Sequence, residues 1–240
     1  MSTLEVIQAG SVSYQDALAW QRELAEDRIA GRLDHDVLLL LEHPPVVTFG
    51  RNSRAAHLLN PQGVEVFEVE RGGDVTFHGP GQLVGYPILD LGGSGGAYKK
   101  DLHWYLRTLE QALIDALALL EIPAERNPGL TGVWTRGRKI ASIGIHVKQW
   151  VTLHGFALNV STDLRGFDLI VPCGIPGIVM TSVAAELGRT DSARLWAETR
   201  AEVVAGFGRT FGYDAVEPVE DRTADGATAG EQMAPRSRAT

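Results

Sequence analysis

The chain is poor in several things, and each shortage excludes something. It holds one cysteine in 240 residues, Cys173, so an intrachain disulfide is impossible and a cysteine-built metal cluster is ruled out. Seven histidines are scattered without an H-E-x-x-H or similar close spacing, and no metal site is expected. Positive charge is short: Lys and Arg total 22 against 30 Asp and Glu, a net charge of -8, which argues against a broad nucleic-acid-binding face. No apolar run approaches the roughly 20 residues of a membrane helix. The start, MSTLEVIQAG, lacks a basic stretch followed by an apolar one, so a cytoplasmic protein without a membrane partner is the expectation.

What is present is the make-up of an ordinary globular enzyme, 44% hydrophobic and 22% charged, long enough to bury a sizeable core as one or at most two domains. Ser13 with Asp16 resembles a capping box, opening a helix that carries Tyr14, Leu18 and Leu24 and ends at Gly31. Val37 to Leu41, Val46 to Phe49, Val64 to Val69, Val75 to Phe77 and Leu83 to Leu91 read as strands separated by proline and glycine breaks. Gly92 to Gly96 reads as a flexible joint. After it, Leu102, Leu106, Leu109, Leu113, Leu117 and Leu120 recur at helical spacing. Thr131 to Thr135, Ile140 to Val147 and Val151 to Val160 form a meander, with Arg136-Gly137-Arg138 as a tight turn and Lys139 at the start of the next strand.

Ser192 is placed as the cap of a last helix carrying Leu195, Trp196, Thr199, Val203 and Phe207. Strands in runs, with helices between the groups, predict an α+β domain of mixed or antiparallel sheet flanked by helices. Residues 1–217 form the catalytic domain in this reading, and 218–240, polar and without periodicity, a disordered tail.

An acidic protein partner would have to meet a local basic patch. Arg51 and Arg54, Lys99 and Lys100, and the group Arg136, Arg138, Lys139 and Lys148 are the candidates, each equally compatible with a solvated surface charge.

Cys173 lies in Val171-Pro172-Cys173-Gly174-Ile175-Pro176-Gly177, where prolines and glycines restrict the backbone and small neighbours leave the thiol approachable. It is either a nucleophile or a small buried hydrophobe. A cysteine nucleophile works as its thiolate and gains from a nearby cation, for which Lys139 is a candidate. Spacing alone also allows Lys139 to be a surface charge on a hairpin. The segment Arg71 to Gln82 is either a ligand-approaching loop or an ordinary glycine-rich hairpin. His78 within it fits a satisfied core histidine or the base of a Cys-His pair.

The motif RGGDVTFHGPGQLVGYP, the segment GRKIASIGIHV, the stretch HGFALNV and the loop PCGI occur in the order seen in the lipoyl(octanoyl) transferases, over about Glu42 to Val183. The chain resembles that family, which shares its fold with biotin and lipoate protein ligases. The resemblance implies transfer of an octanoyl group from acyl carrier protein to a lysine of lipoyl domains, in 2-oxoacid dehydrogenases and the glycine cleavage H protein. It implies a Cys-Lys dyad with Cys173 as nucleophile, Lys139 as the residue that activates it, and an acyl-thioester intermediate.

Acyl-binding positions then fall on Arg71, Gly72, Gly73, Asp74, Val75, Thr76, Phe77 and His78, on Ser142, Ile143 and Gly144, and on Gly155, Phe156 and Ala157. No cofactor is implied, since the acyl group arrives on the phosphopantetheine of the carrier, and a monomer is expected. Backbone N–H groups around Ser142 to Gly144 or Cys173 to Gly174 are the expected oxyanion donors. An ATP-dependent lipoate ligase, a non-catalytic acyl-carrier binding module and a Cys-His thioesterase are the rival functions. The polar tail is the main departure from the family.

Overall fold

The computed structural model describes residues 2–61, 63–93 and 98–220. The strands are β1 Thr3–Ser11, β2 Asp36–Glu42, β3 Val46–Phe49, β4 Glu65–Glu68, β5 Thr76–His78, β6 Gln82–Ile88, β7 Val133–Thr135, β8 Arg138–Lys148, β9 Val151–Asn159 and β10 Ala215–Glu220. The helices are α1 Tyr14–Ile29, α2 Leu102–Leu119, α3 Val183–Leu187 and α4 Ser192–Phe211.

Seven strands form one mixed sheet in the order β10-β1-β2-β6-β9-β8-β7, and three form a second in the order β4-β3-β5. The fold is α+β, with helices on both faces of the large sheet. β2 shows why. Its sequence VLLLL is apolar throughout because both of its faces are covered. Leu38 and Leu40 point towards α2 and α4, while Val37, Leu39 and Leu41 point towards α1, as the two-residue period of a strand requires. On one side α2 contributes Leu109, Leu113 and Leu117, and α4 Val203, Phe207 and Phe211. A Cβ at Gly206 would come within 2.8 Å of the Ala112 carbonyl, so glycine is what lets these helices approach closely. On the other side α1 buries Ala17, Trp20 and Ala25.

Ser13 caps α1, accepting the Asp16 N–H at 3.1 Å while its hydroxyl donates to the Asp16 carboxylate at 2.6 Å. Two-residue turns with positive φ join β7 to β8 at Arg136 and Gly137, and β8 to β9 at Gln149 and Trp150.

Several expectations are corrected. Ser192 is the first residue of α4 and not its cap: the cap position is Asp191, whose carboxylate is held by Arg189 and so bonds no helix N–H. Of the tail expected to be disordered, Pro218 to Glu220 belong to a strand. β10 runs to Glu220, parallel to β1, with Pro218 opposite Val6. An edge strand tolerates the missing N–H of proline, and β10 is at the edge of the sheet. β1, placed between β10 and β2, and the five-residue α3 were not foreseen. Residues 221–240, and 94–97 of the expected glycine joint, lie outside the described residues.

The small sheet carries the Arg71–His78 motif. Its own core is Val47, Val75, Phe77, Phe167, Leu169 and Ile170. It abuts the large sheet where the Gly72 N–H donates to the Ile145 carbonyl of β8 at 2.8 Å.

Candidate active site

β9 ends at Asn159, and the chain leaves the large sheet through residues 161–178. It returns at Val179–Thr181, beside the first residues of β8. There the Lys139 N–H donates to the Val179 carbonyl at 2.8 Å, and the Thr181 N–H to the Lys139 carbonyl at 2.9 Å. The excursion carries Cys173 in a left-handed backbone conformation, φ 56° and ψ 18°, followed by Gly174 at φ 67°. A non-glycine residue at positive φ is unusual and has to be held by its surroundings. Here the Cys173 N–H donates to the Val75 carbonyl at 3.1 Å and the Val171 N–H to the His57 carbonyl at 2.8 Å. Gly174 rests directly on the Asp74 carboxylate: a Cβ there would lie 2.2 Å from Oδ2 and 2.8 Å from Cε1 of His57. His57 Nδ1 and Asp74 Oδ2 are 2.8 Å apart without hydrogen-bond alignment.

The result is that Lys139 Nζ donates to Cys173 Sγ at 2.8 Å. Lys139 is 2% exposed, so it is not the surface charge that a hairpin position allows. One face of its side chain meets Gly132, where a Cβ would sit 2.8 Å from Cε and 3.3 Å from Nζ. Its ammonium lies 5.6 Å from the centre of the Trp134 ring. Gly132 is fixed in turn by its N–H, which donates to the wholly buried Glu110 carboxylate at 3.2 Å. Arg138 and Arg136, read as possible surface patches, both pair with the buried Glu186 of α3, at 2.8 and 3.2 Å, and tie that helix to the start of β8.

A pocket of about 210 Å³ opens at this pair. Of the residues singled out in the sequence, Arg71, Gly73, Asp74, Val75, Thr76, His78, Ser142, Ile143, Gly144, Gly155, Phe156, Ala157, Lys139 and Cys173 line it. Gly72 and Phe77 do not. Gly72 is engaged with β8, and the Phe77 ring turns away into the small sheet's core against Phe167. The wall also contains Tyr14, Tyr86, Gly129, Leu130, Thr131, Trp134, His154 and Ile175, none of which was proposed as a ligand-facing position. Trp134 stands opposite Lys139 across the β7–β8 pair.

The polar groups of the wall are mostly spent on building it. Arg71 is 7% exposed and donates to the carbonyls of Gly72, Asp74 and Thr48 and to the Thr48 hydroxyl, so it braces the motif. Burial pulls its pKa below the ordinary arginine value. His78 is not the base of a Cys-His pair. Its Nδ1 contacts Gln82 Oε1 at 2.8 Å, and Gln82 donates to Asn159, which donates to the Thr181 carbonyl, one bond away from the Lys139 backbone. Burial drops the pKa of His78 to about 3, that of His154 to about 3 and that of His43 to about 4, so all three are neutral at physiological pH.

The N–H groups of Cys173 and Gly174 are both taken, by Val75 and Val171, and are not free for an oxyanion. The outer edge of β8 differs. β7 pairs with it only as far as Ala141, and Gly72 takes up at Ile145. Between them, among the described residues, Ser142–Gly144 have no strand partner on that edge and border the pocket. Among the described residues no group of three or more His, Cys, Asp and Glu side chains is arranged to hold a metal, and no helix is long and apolar enough to cross a membrane.

A thiol in contact with a buried lysine thus lines a slot walled by Val75, Ile143, Phe156 and Ala157. A profile of the lipoyl protein ligase A/B catalytic domain matches residues 13–205, and the chain belongs to that family. It is 58% identical over 171 residues to an octanoyltransferase of Gloeobacter violaceus, covering 71% of this chain and 75% of the relative. It is 51% identical over 204 residues to an octanoyltransferase of Geobacter sulfurreducens, covering 85% and 83%. Among solved structures, a lipoate-protein ligase A bound with ATP superposes with a TM-score of 0.72 over 96% of this chain and 94% of that one, at 16% identity. That last likeness is one of fold.

Proposed function

We propose that the protein moves an octanoyl group from the phosphopantetheine of acyl carrier protein to a lysine of lipoyl domains, through a thioester on Cys173. The acceptors are the lipoyl domains of 2-oxoacid dehydrogenases and the glycine cleavage H protein. The observation that carries this reading is the 2.8 Å contact between Lys139 Nζ and Cys173 Sγ at the mouth of an apolar slot.

The cycle balances on these two groups. The Cys173 thiolate attacks the donor carbonyl and the pantetheine sulfur leaves with its electron pair, taking a proton from the Lys139 ammonium. Cys173 is then acylated, the carrier thiol is neutral, and Lys139 is a free amine. The acceptor lysine attacks the thioester and Lys139 takes its proton. The collapsing intermediate expels the Cys173 thiolate, which restores the starting pair beside a new amide. Thioester exchange is nearly balanced and amide formation runs downhill, so the acyl group arrives already activated and no resident cofactor is needed. The Ile143 N–H, which faces the open edge of β8 between Ala141 and Ile145, is the donor for the developing oxyanion in both steps.

Burying an acyl chain along the slot contributes about 0.8 kcal/mol per methylene. Eight carbons thus gain several kcal/mol that a two-carbon acyl group cannot, and this favours a medium chain over acetyl.

Intact-protein mass spectrometry after mixing with octanoyl acyl carrier protein tests the reading. The wild type should gain one octanoyl mass that a lipoyl domain removes, and Cys173→Ala should gain none while keeping its fold. An alanine variant that still acquires the acyl mass would overturn the assignment, and formation of AMP from ATP with free octanoate would point to a ligase.

A further inference from the structure

Lys139 is chemically the same group as the acceptor, a lysine ε-amine. In the proposed cycle it spends the interval between the two half-reactions unprotonated, in contact with the acylated sulfur. The thioester carbonyl carbon is one bond from Sγ, and Nζ is 2.8 Å from Sγ in the unacylated pair, so rotation about the bonds to sulfur can bring that carbon to the roughly 3–3.5 Å at which an intramolecular attack becomes effective. No diffusion step separates them, and effective concentrations for such pairs reach about 10⁵ M or more. What keeps the two apart is confinement. Nζ is held between the backbone of Gly132, the ring of Trp134 and the sulfur, with Gly132 anchored on Glu110. Trp134 attracts an ammonium and not an amine, so its hold on Nζ weakens in the acyl-enzyme.

We propose that the acyl-enzyme, left without an acceptor, inactivates itself by passing the acyl group from Cys173 to Lys139. This rests on the thioester of the proposed function. The Lys139 amine lone pair forms the C–N bond, the C–S bond breaks with its electrons going to Sγ, and the proton lost from nitrogen ends on the thiol. The products are an Nε-octanoyl-Lys139 amide and a free Cys173. The amide cannot be resolved by the acceptor and removes the base, so each migration ends one enzyme's turnover. Lys139 is thereby a modification site as well as a member of the catalytic pair. A lipoyl domain protects the enzyme by draining the thioester.

The experiment follows one adduct through time. The full chain is charged with octanoyl acyl carrier protein, held without acceptor, and sampled over hours by intact mass before and after hydroxylamine, which cleaves thioesters and spares amides. Early samples should be wholly hydroxylamine-labile. A resistant octanoyl mass should then grow in and map by peptide sequencing to Lys139, and transfer activity should fall in proportion. Adding lipoyl domain at the start should suppress the resistant fraction at least tenfold. A labile adduct that never becomes resistant, or a resistant one that maps elsewhere, would overturn the migration while leaving the Cys173 thioester intact. No labile adduct at any time would remove the thioester itself, and the migration with it.

Discussion

The Asn159 side chain donates to the carbonyl of Thr181 at 3.0 Å, and thereby joins the glycine-rich motif of β5 and β6 to the backbone of Lys139. On its other side Asn159 accepts from Gln82 at 2.9 Å, and Gln82 contacts His78. A motif that lines the pocket therefore also sets where the lysine stands.

Asn159→Ala tests that link. Asn159 is 1% exposed, so the truncation leaves the Thr181 carbonyl without this donor and one Gln82 N–H without its acceptor, the other still reaching the Phe77 carbonyl, at a cost of about 1–3 kcal/mol each. The melting temperature should fall by several degrees, and kcat should fall more than tenfold with KM for the carrier little changed. A variant with lowered stability and unchanged kcat would make Asn159 a structural residue only.

Lys139→Met removes the charge beside Cys173 and keeps the length of the side chain. A unit charge at about 4 Å is worth about 4 kcal/mol at an effective dielectric near 20, before desolvation offsets part of it. Alkylation of Cys173 by iodoacetamide at pH 7 should slow by an order of magnitude or more, and transfer should be lost. An unchanged alkylation rate would separate the two residues functionally despite their contact.

Chain length is read against Phe156. A Cβ at Gly85 would lie 2.2 Å from the Phe156 ring, which lines the slot, so Gly85→Ala must lift that ring off the strand and into the space it borders. Octanoyl transfer should drop, and hexanoyl transfer should drop less. At about 0.8 kcal/mol per methylene, the kcat/KM ratio between the two chains should shift by roughly fourfold for each methylene excluded. Equal losses for both would place the acyl chain away from Phe156.

Acid should unfold the protein before it stops the chemistry. His43, His78 and His154 are neutral in the fold, with pKa values of about 4, 3 and 3, against about 6.5 in an unfolded chain. Below pH 6.5 the unfolded state binds protons that the folded state refuses. Stability is therefore complete above that pH, and each histidine removes up to about 1.4 kcal/mol per pH unit as the pH falls towards 4. Thermal melts from pH 7 to 5 should show a steep decline, and His43→Phe should flatten it by about a third. A melting temperature level over that range would mean that these rings are hydrated.

Much of this was legible in the sequence, for identifiable reasons. An unbroken apolar run located β2, turn residues bounded β8 and β9, a capping box opened α1 and the 3.6 period showed α2, because each of these leaves a local signal. The Cys173 loop stood out because prolines and glycines there prescribe backbone angles. Lys139 did not, since a lysine after a tight turn looks the same whether its strand is at the surface or capped by residues 179–181 returning from far along the chain. His78 was ambiguous for the same reason: its neighbours Gln82 and Asn159 meet only in the tertiary structure. α3 is too short to show a period, and Asp191 lost its capping role to Arg189, a competition that no local rule anticipates. Gly72 and Phe77 share a motif with residues that face the slot, but alternation along the strand turns Phe77 to the other side.

Cys173 rides on a detour whose two feet stand together. The chain departs after Asn159 and lands at Val179–Thr181 against Lys139. On the way it passes through the small sheet, where Phe167, Leu169 and Ile170 are packed and Ile170 pairs with Leu58, so the small sheet fixes the sulfur while the large one fixes the lysine. The distance between the two groups is thus a distance between two sheets, and any shift of one sheet on the other would be felt first at that contact.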